Sequence, residues 1–219
     1  MSSTPKMIPS AAAFMRLFPL IVAAAILLGL NRSAVIASTP TPSPDPITDS
    51  STQQILTLGS PDAEFDLRFL DAIILHHQST ISTAAIVLEK SNRSEVRAIA
   101  ETMINQRQQD LDQLQRWRQD WYPSAPLRPQ VWDPATASTA SLDPSAESIL
   151  IAAIPLSGEG EIVNIRVVNR LIPHHESALV LAREALTHSL QSEIRAFAET
   201  LITTQQADIQ QWEDCLDAW

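Results

Sequence analysis

Residues 73–104 read IILHHQSTISTAAIVLEKSNRSEVRAIAETMI, and residues 171–202 read LIPHHESALVLAREALTHSLQSEIRAFAETLI. Shifted by 98 positions, residues 76–121 align with 174–219 without a gap, and 18 of the 46 pairs are identical. An internal repeat outranks any single-residue signal in reading a fold, because each copy has to be one supersecondary unit. Each copy opens with a period-3.6 face. Phe65, Phe69, Ile73, Ile81, Ala84 and Leu88 predict a helix over about 62–90, and Val163, Val167, Leu171, Leu179, Ala182 and Leu186 predict its twin over about 161–187. The breaks KSNRSE and HSLQSE follow, where Ser94 and Ser192 suit an N-cap and Glu95 and Glu193 the first turn of the next helix.

That next helix carries a 4-3-4 stripe. It runs Val96, Ala100, Met103, Arg107, Asp110, Leu114, Trp117, Trp121 in the first copy and Ile194, Ala198, Leu201, Gln205, Asp208, Trp212, Cys215, Trp219 in the second. Neither hairpin can hide its apolar face alone, so the pair predicts an all-α antiparallel four-helix bundle. Four glycines and one tyrosine in 219 residues are too few for an all-β chain.

The organisation outside the repeat follows from composition. Residues 1–37 have a basic flank (Lys6, Arg16), the apolar run LFPLIVAAAILLGL, and Val35 and Ala37 at −3 and −1 of a cleavage point. This is the order of a secretory signal. An uncleaved membrane anchor over 17–37 is the alternative, although the run is shorter than the roughly 20 residues a span needs. Either way the body is expected outside the cytoplasm, periplasmic or secreted. Residues 38–60, rich in Pro, Ser and Thr, read as a semi-rigid linker. The bundle is assigned to 61–219: repeat 1 over 61–122, a loop over 123–160 with the apolar segment ESILIAAIPL against the bundle, and repeat 2 over 161–219.

Removing the three positive charges of residues 1–37 takes the formal charge from −10 to −13. Such a body repels nucleic acid and anionic lipid and attracts cations. Cys215 is the only cysteine, so no intramolecular disulfide holds the fold.

Four of the five histidines form two adjacent pairs, His76–His77 and His174–His175, and both pairs border the core face of a first helix. Asp110 and Asp208 interrupt the apolar stripe of the second helices at a comparable distance from each bend, so a histidine pair and an aspartate face each other within each hairpin. Three readings suit that geometry. A buried His–Asp hydrogen bond satisfies two polar groups and fixes register. Imidazole with carboxylate also suits a transition metal such as copper or zinc, and binding would then weaken below about pH 6.5 as the rings protonate. Acid–base catalysis lacks a nucleophile and an oxyanion-stabilising turn beside the histidines. A di-iron oxidase is excluded, because Glu-x-x-His is absent: Ile73, Ile74, Leu171 and Ile172 stand three residues before the histidines.

The stretches FDLRFLDAIILHHQ and LIPHHES and the two E(V/I)RA elements resemble the family catalogued as domain of unknown function 305, over nearly all of 62–219. The resemblance implies paired helical hairpins in a ferritin-like bundle, export from bacterial cells, and copper binding in several members. It adds Asp66 and Asp71, at the family's acidic positions, to the candidate ligands His76, His77, His174, His175, Asp110 and Asp208. The family's usual methionines are replaced here by Ile73, Thr83, Leu114, Leu171, Leu181 and Trp212. Thioethers select Cu(I), so the remaining donors are a harder set of histidine and carboxylate. The expectation is an exported, non-catalytic bundle that binds copper or zinc. A structural or partner-binding bundle with a decayed site is the alternative, and no other cofactor is implied.

Overall fold

The computed structural model describes residues 57–153 and 155–219. The signal or anchor over 1–37 and most of the linker lie outside the described residues. Among those described, no helix is long and apolar enough to cross a membrane.

The repeat folds as two helical hairpins. Helix α1 (Phe65–Lys90) turns through three residues into α2 (Ser94–Trp121). After the connection, α4 (Glu161–His188) turns likewise into α5 (Ser192–Asp217). Both turns use the same device. The hydroxyls of Ser91 and Ser189 accept the N–H of Arg93 and Gln191 at 3.2 and 3.1 Å. Ser94 and Ser192 are therefore the first helical residues and not N-caps: Arg93 and Gln191 hold the cap positions without a side-chain cap bond. Each turn satisfies a donor at the helix start from two residues upstream.

The hairpins pack antiparallel around one core. Gly160 N–H donates to the Lys90 carbonyl at one end of α1 and α4, and Phe65 meets His188 edge-on at the other. Phe65, Phe69, Ile73, Leu114, Ala182 and Leu201 fill one half of the interior, and Val87, Val96, Met103, Val167, Leu171 and Trp212 the other. The α2–α5 seam is wider than the others and is bridged by side chains, with Trp117 edge-on to Phe197 and Arg107 reaching Asp208.

The connection is more ordered than a proline-rich loop. Gln130–Asp133 (β1) and Ser138–Ser141 (β2) form an antiparallel hairpin, with Val131 opposite Ala140. Helix α3 (Pro144–Ile151) follows, capped by Asp143, whose carboxylate accepts from Ser145 and Ala146, with Pro144 in its first turn. As the apolar segment suggested, Leu150 packs on the bundle, joining Leu142 against Leu75.

The folded body also begins earlier than residue 61. Leu58 is 1% exposed and sits in the core with Phe65 and Phe69. Arg68, equally buried, holds the carbonyls of Leu58 and Ser60 at 2.7 and 2.6 Å and the Asp62 carboxylate at 2.9 Å. It also donates to the Thr139 hydroxyl and lies over the Trp132 ring. Composition hid one apolar side chain and two backbone acceptors that a buried guanidinium requires.

Candidate metal centre

The antiparallel approach of α1 and α4 brings equivalent positions of the two copies together at mid-bundle. The ring of His76 stacks on that of His174, with centroids 4.0 Å apart and planes within 7°. His77 and His175 flank the stack, each edge-on to its own neighbour. His77 and His175 are fully buried and His76 is 2% exposed, while His174 keeps partial exposure. All four histidines therefore converge at the seam between the hairpins.

Hydrogen bonding assigns the protons on these rings. His76 Nε2 faces the His174 carbonyl at 3.0 Å, an acceptor only, so the proton is on Nε2. His77 Nε2 faces an Asp110 carboxylate oxygen at 3.1 Å, so it too carries its proton there. Both Nδ1 atoms are then bare in the neutral rings, and they face each other at 3.4 Å. The Thr80 hydroxyl donates to the His76 carbonyl, so toward His174 Nε2 its oxygen accepts, and His174 Nδ1 is bare as well. His175 is the odd one. Its Nδ1–H donates to the Leu171 carbonyl at 2.7 Å, which leaves Nε2 bare and without a hydrogen-bond partner.

The aspartates stand where the stripe placed them, one opposite each pair. The two are engaged differently. Asp110 accepts from His77, whereas Asp208 lies 3.5 Å from His175 Nε2, beyond a good hydrogen bond, and is ion-paired to Arg107. Arg107 also comes within 3.7 Å of Asp110. It is 1% exposed, and its Nε has no partner. Its counterpart in the second copy, Gln205, is fully buried with both ends of its amide unpartnered. Sequence reading placed Arg107 on the stripe but gave it no role, and the unequal pair Arg107/Gln205 was the available signal.

Burial keeps the imidazoles of His76, His77 and His174 neutral. It pushes His77 down to about 4, with the Asp110 hydrogen bond opposing and the Arg107 charge reinforcing. It pushes His174 down to about 3, aided by His175, His77 and Arg107. His76 falls well below the ordinary value, by burial first and then by the neighbouring histidines. Protonation therefore begins well below the pH 6.5 expected of a free imidazole.

Asp66 and Asp71 do not join this cluster. Asp71 is 2% exposed and is held by the Arg118 guanidinium and the Gln130 N–H, tying α1 to the end of α2 and to β1. Burial raises its pKa, with both partners opposing. Asp66 is buried near the start of α1, and one of its oxygens is unpartnered. Among the described residues, no three histidine, cysteine, aspartate or glutamate side chains stand in metal-holding geometry. The imidazoles fit a metal by their chemistry, and two of their bare nitrogens, Nδ1 of His76 and His77, face each other. Arg107 lies against both carboxylates.

The comparisons with known proteins agree with this architecture. The chain matches the family described as Domain of unknown function (DUF305) over residues 46–118 and 66–216, and it belongs to that family. Its fold is similar to that of CopM in the Cu(I)-bound form (21% identity, TM-score 0.54, 70% of this chain and 96% of that one). CopM in the Cu(II)-bound form gives 21% identity and a TM-score of 0.55, over 70% and 97% of the two chains. A DUF305 protein from Streptomyces coelicolor is 16% identical with a TM-score of 0.54, over 72% and 94%. A comparison with curated proteins finds no match.

Proposed function

We propose that this DUF305 protein is an exported, non-catalytic helical bundle that binds copper at its paired histidines. The observation that carries the reading is the His76–His77 pair, whose bare Nδ1 atoms face each other across 3.4 Å. Two lone pairs so placed in a buried site repel, and a cation between them removes the repulsion. Metal–imidazole bonds of about 2 Å span a gap of this size, and imidazole suits copper. The rings of His174 and His175 stand next to the first pair, each with one bare nitrogen. The copper forms of CopM support copper for a chain of this fold, and nothing comparable supports zinc. Export rests on the order of residues 1–37. The non-catalytic reading rests on the hydroxyl beside the rings, Thr80, which is buried and gives its proton to the His76 carbonyl instead of to a histidine base.

A ligand that binds only the folded state raises stability by about 2.7 kcal/mol at a hundredfold excess over its dissociation constant. The melting temperature of the full chain should therefore rise with Cu(II) at pH 7.5. Because His77 is held down to about 4, the rise should persist at pH 5.5, where binding by surface imidazoles fades. His76→Gln with His77→Gln should abolish it. A full shift in that double variant, or no shift in the parent chain, would sink the copper reading and leave the histidines as packing.

A further inference from the structure

We infer that the Arg107 guanidinium is the resident cation of this centre: it withdraws the Asp208 carboxylate from His175 and so sets the charge of the ion the site accepts. The inference rests on the copper reading above and concerns its selectivity. Arg107 is buried, ion-paired to Asp208 and 3.7 Å from Asp110. The Asp208 oxygen it holds is the one facing the bare Nε2 of His175. Without the guanidinium, the second hairpin would offer a histidine pair and a free carboxylate. With it, the donors left are neutral nitrogens, and a fixed positive charge stands beside them.

The second copy shows that the position does not need this charge to pack. Gln205 occupies the equivalent place, neutral and fully buried. A cavity of about 100 Å³ opens between α2 and α5 against Arg107 and Asp110, lined also by Gln106, Phe197 and Thr200. Coulomb repulsion scales with the product of charges, so Arg107 penalises a divalent ion twice as heavily as a monovalent one. The Asp208 carboxylate, which would favour the divalent ion, is already paired. The chain as it stands therefore selects monovalent over divalent ions.

Calorimetric titration of the full chain with Ag(I) and with Cu(II), as monovalent and divalent probes, tests this. Arg107→Gln, which copies the second repeat, should tighten Cu(II) by roughly tenfold or more relative to Ag(I). An unchanged Cu(II)-to-Ag(I) ratio in a folded Arg107→Gln chain overturns the inference. The copper reading survives that result if His76→Gln with His77→Gln still loses both ions. If neither the parent nor the variant binds either probe, the copper reading itself fails. Should Arg107→Gln unfold, Asp208→Asn keeps a hydrogen-bond acceptor for the guanidinium and leaves its charge uncompensated. Its ratio should move toward Ag(I), and a ratio equal to the parent's refutes the proposal. A merely structural arginine would lower stability without changing the ratio.

Discussion

The two repeats present the same residues to the centre of the bundle and arrive at different electrostatics. In the first, His77 donates through Nε2 to Asp110 and turns its bare Nδ1 toward His76. In the second, His175 donates through Nδ1 to Leu171, and its aspartate is taken by the arginine of the other copy. One unequal position, Arg107 against Gln205, accounts for where the charge falls. The outer faces diverge too. Asp71 and Arg118 clamp the first copy to β1, whereas their equivalents are an exposed Asn169 and Leu216. Duplication preserved the scaffold, and single substitutions on the seam redistributed its polar contacts.

The sharpest way to break this comparison is to remove each aspartate. Asp208→Leu strands a buried guanidinium and should cost about 3–5 kcal/mol. Asp110→Leu leaves the His77 N–H unpaired, at the low end of about 1–3 kcal/mol, because the aspartate side chain is 31% exposed and water can replace it. Equal losses in urea melts would mean that the repeats are electrostatically equivalent after all.

A pH series probes what the copies share. The folded-state pKa of His77 lies near 4, below its unfolded value near 6.5. Between those limits the unfolded chain binds more protons, so stability falls as pH falls. The slope should reach about 1.4 kcal/mol per pH unit for a fully buried histidine. His77→Gln should flatten the decline between pH 6.5 and 4. His174→Gln should flatten it at least as much, because that ring is held lower still, at about 3. A parent whose urea midpoint does not change from pH 7 to pH 5 contradicts neutral burial in both copies.

The outer faces give the last contrast. Asp71→Leu should cost about 1–3 kcal/mol by leaving Arg118 and the Gln130 N–H without their acceptor. Asn169→Leu, at the exposed equivalent, should stay within about 0.5 kcal/mol. Comparable costs would show that the Asp71 clamp adds nothing.

The hairpins and the meeting of histidine with aspartate were legible because a 3.6-residue period and a gapless repeat place residues on faces without further information. The sheet over 130–141 was not. Its strands are four residues each, and the surrounding prolines read as loop. Leu58 was lost inside a composition that argues for a tether. Arg107 was visible on the stripe, but an arginine there also reads as a side chain that snorkels to water. Only its position between two aspartates from different copies shows otherwise, and that is a tertiary fact. Ring tautomers were out of reach for the same reason, since each is set by an acceptor on another turn or another helix.

Arg68 joins the segment before α1, the first turn of that helix and the β-hairpin through one buried side chain. The hairpin contact lies 71 residues from Arg68 in sequence, yet these surfaces cannot be released one at a time. A protease that waits for the N-terminal segment to lift must wait for Arg68 to let go of Leu58 and Ser60, and the same event loosens Thr139 and the Trp132 face. Cleavage at the two places should therefore appear together, as one cooperative opening of the bundle's end.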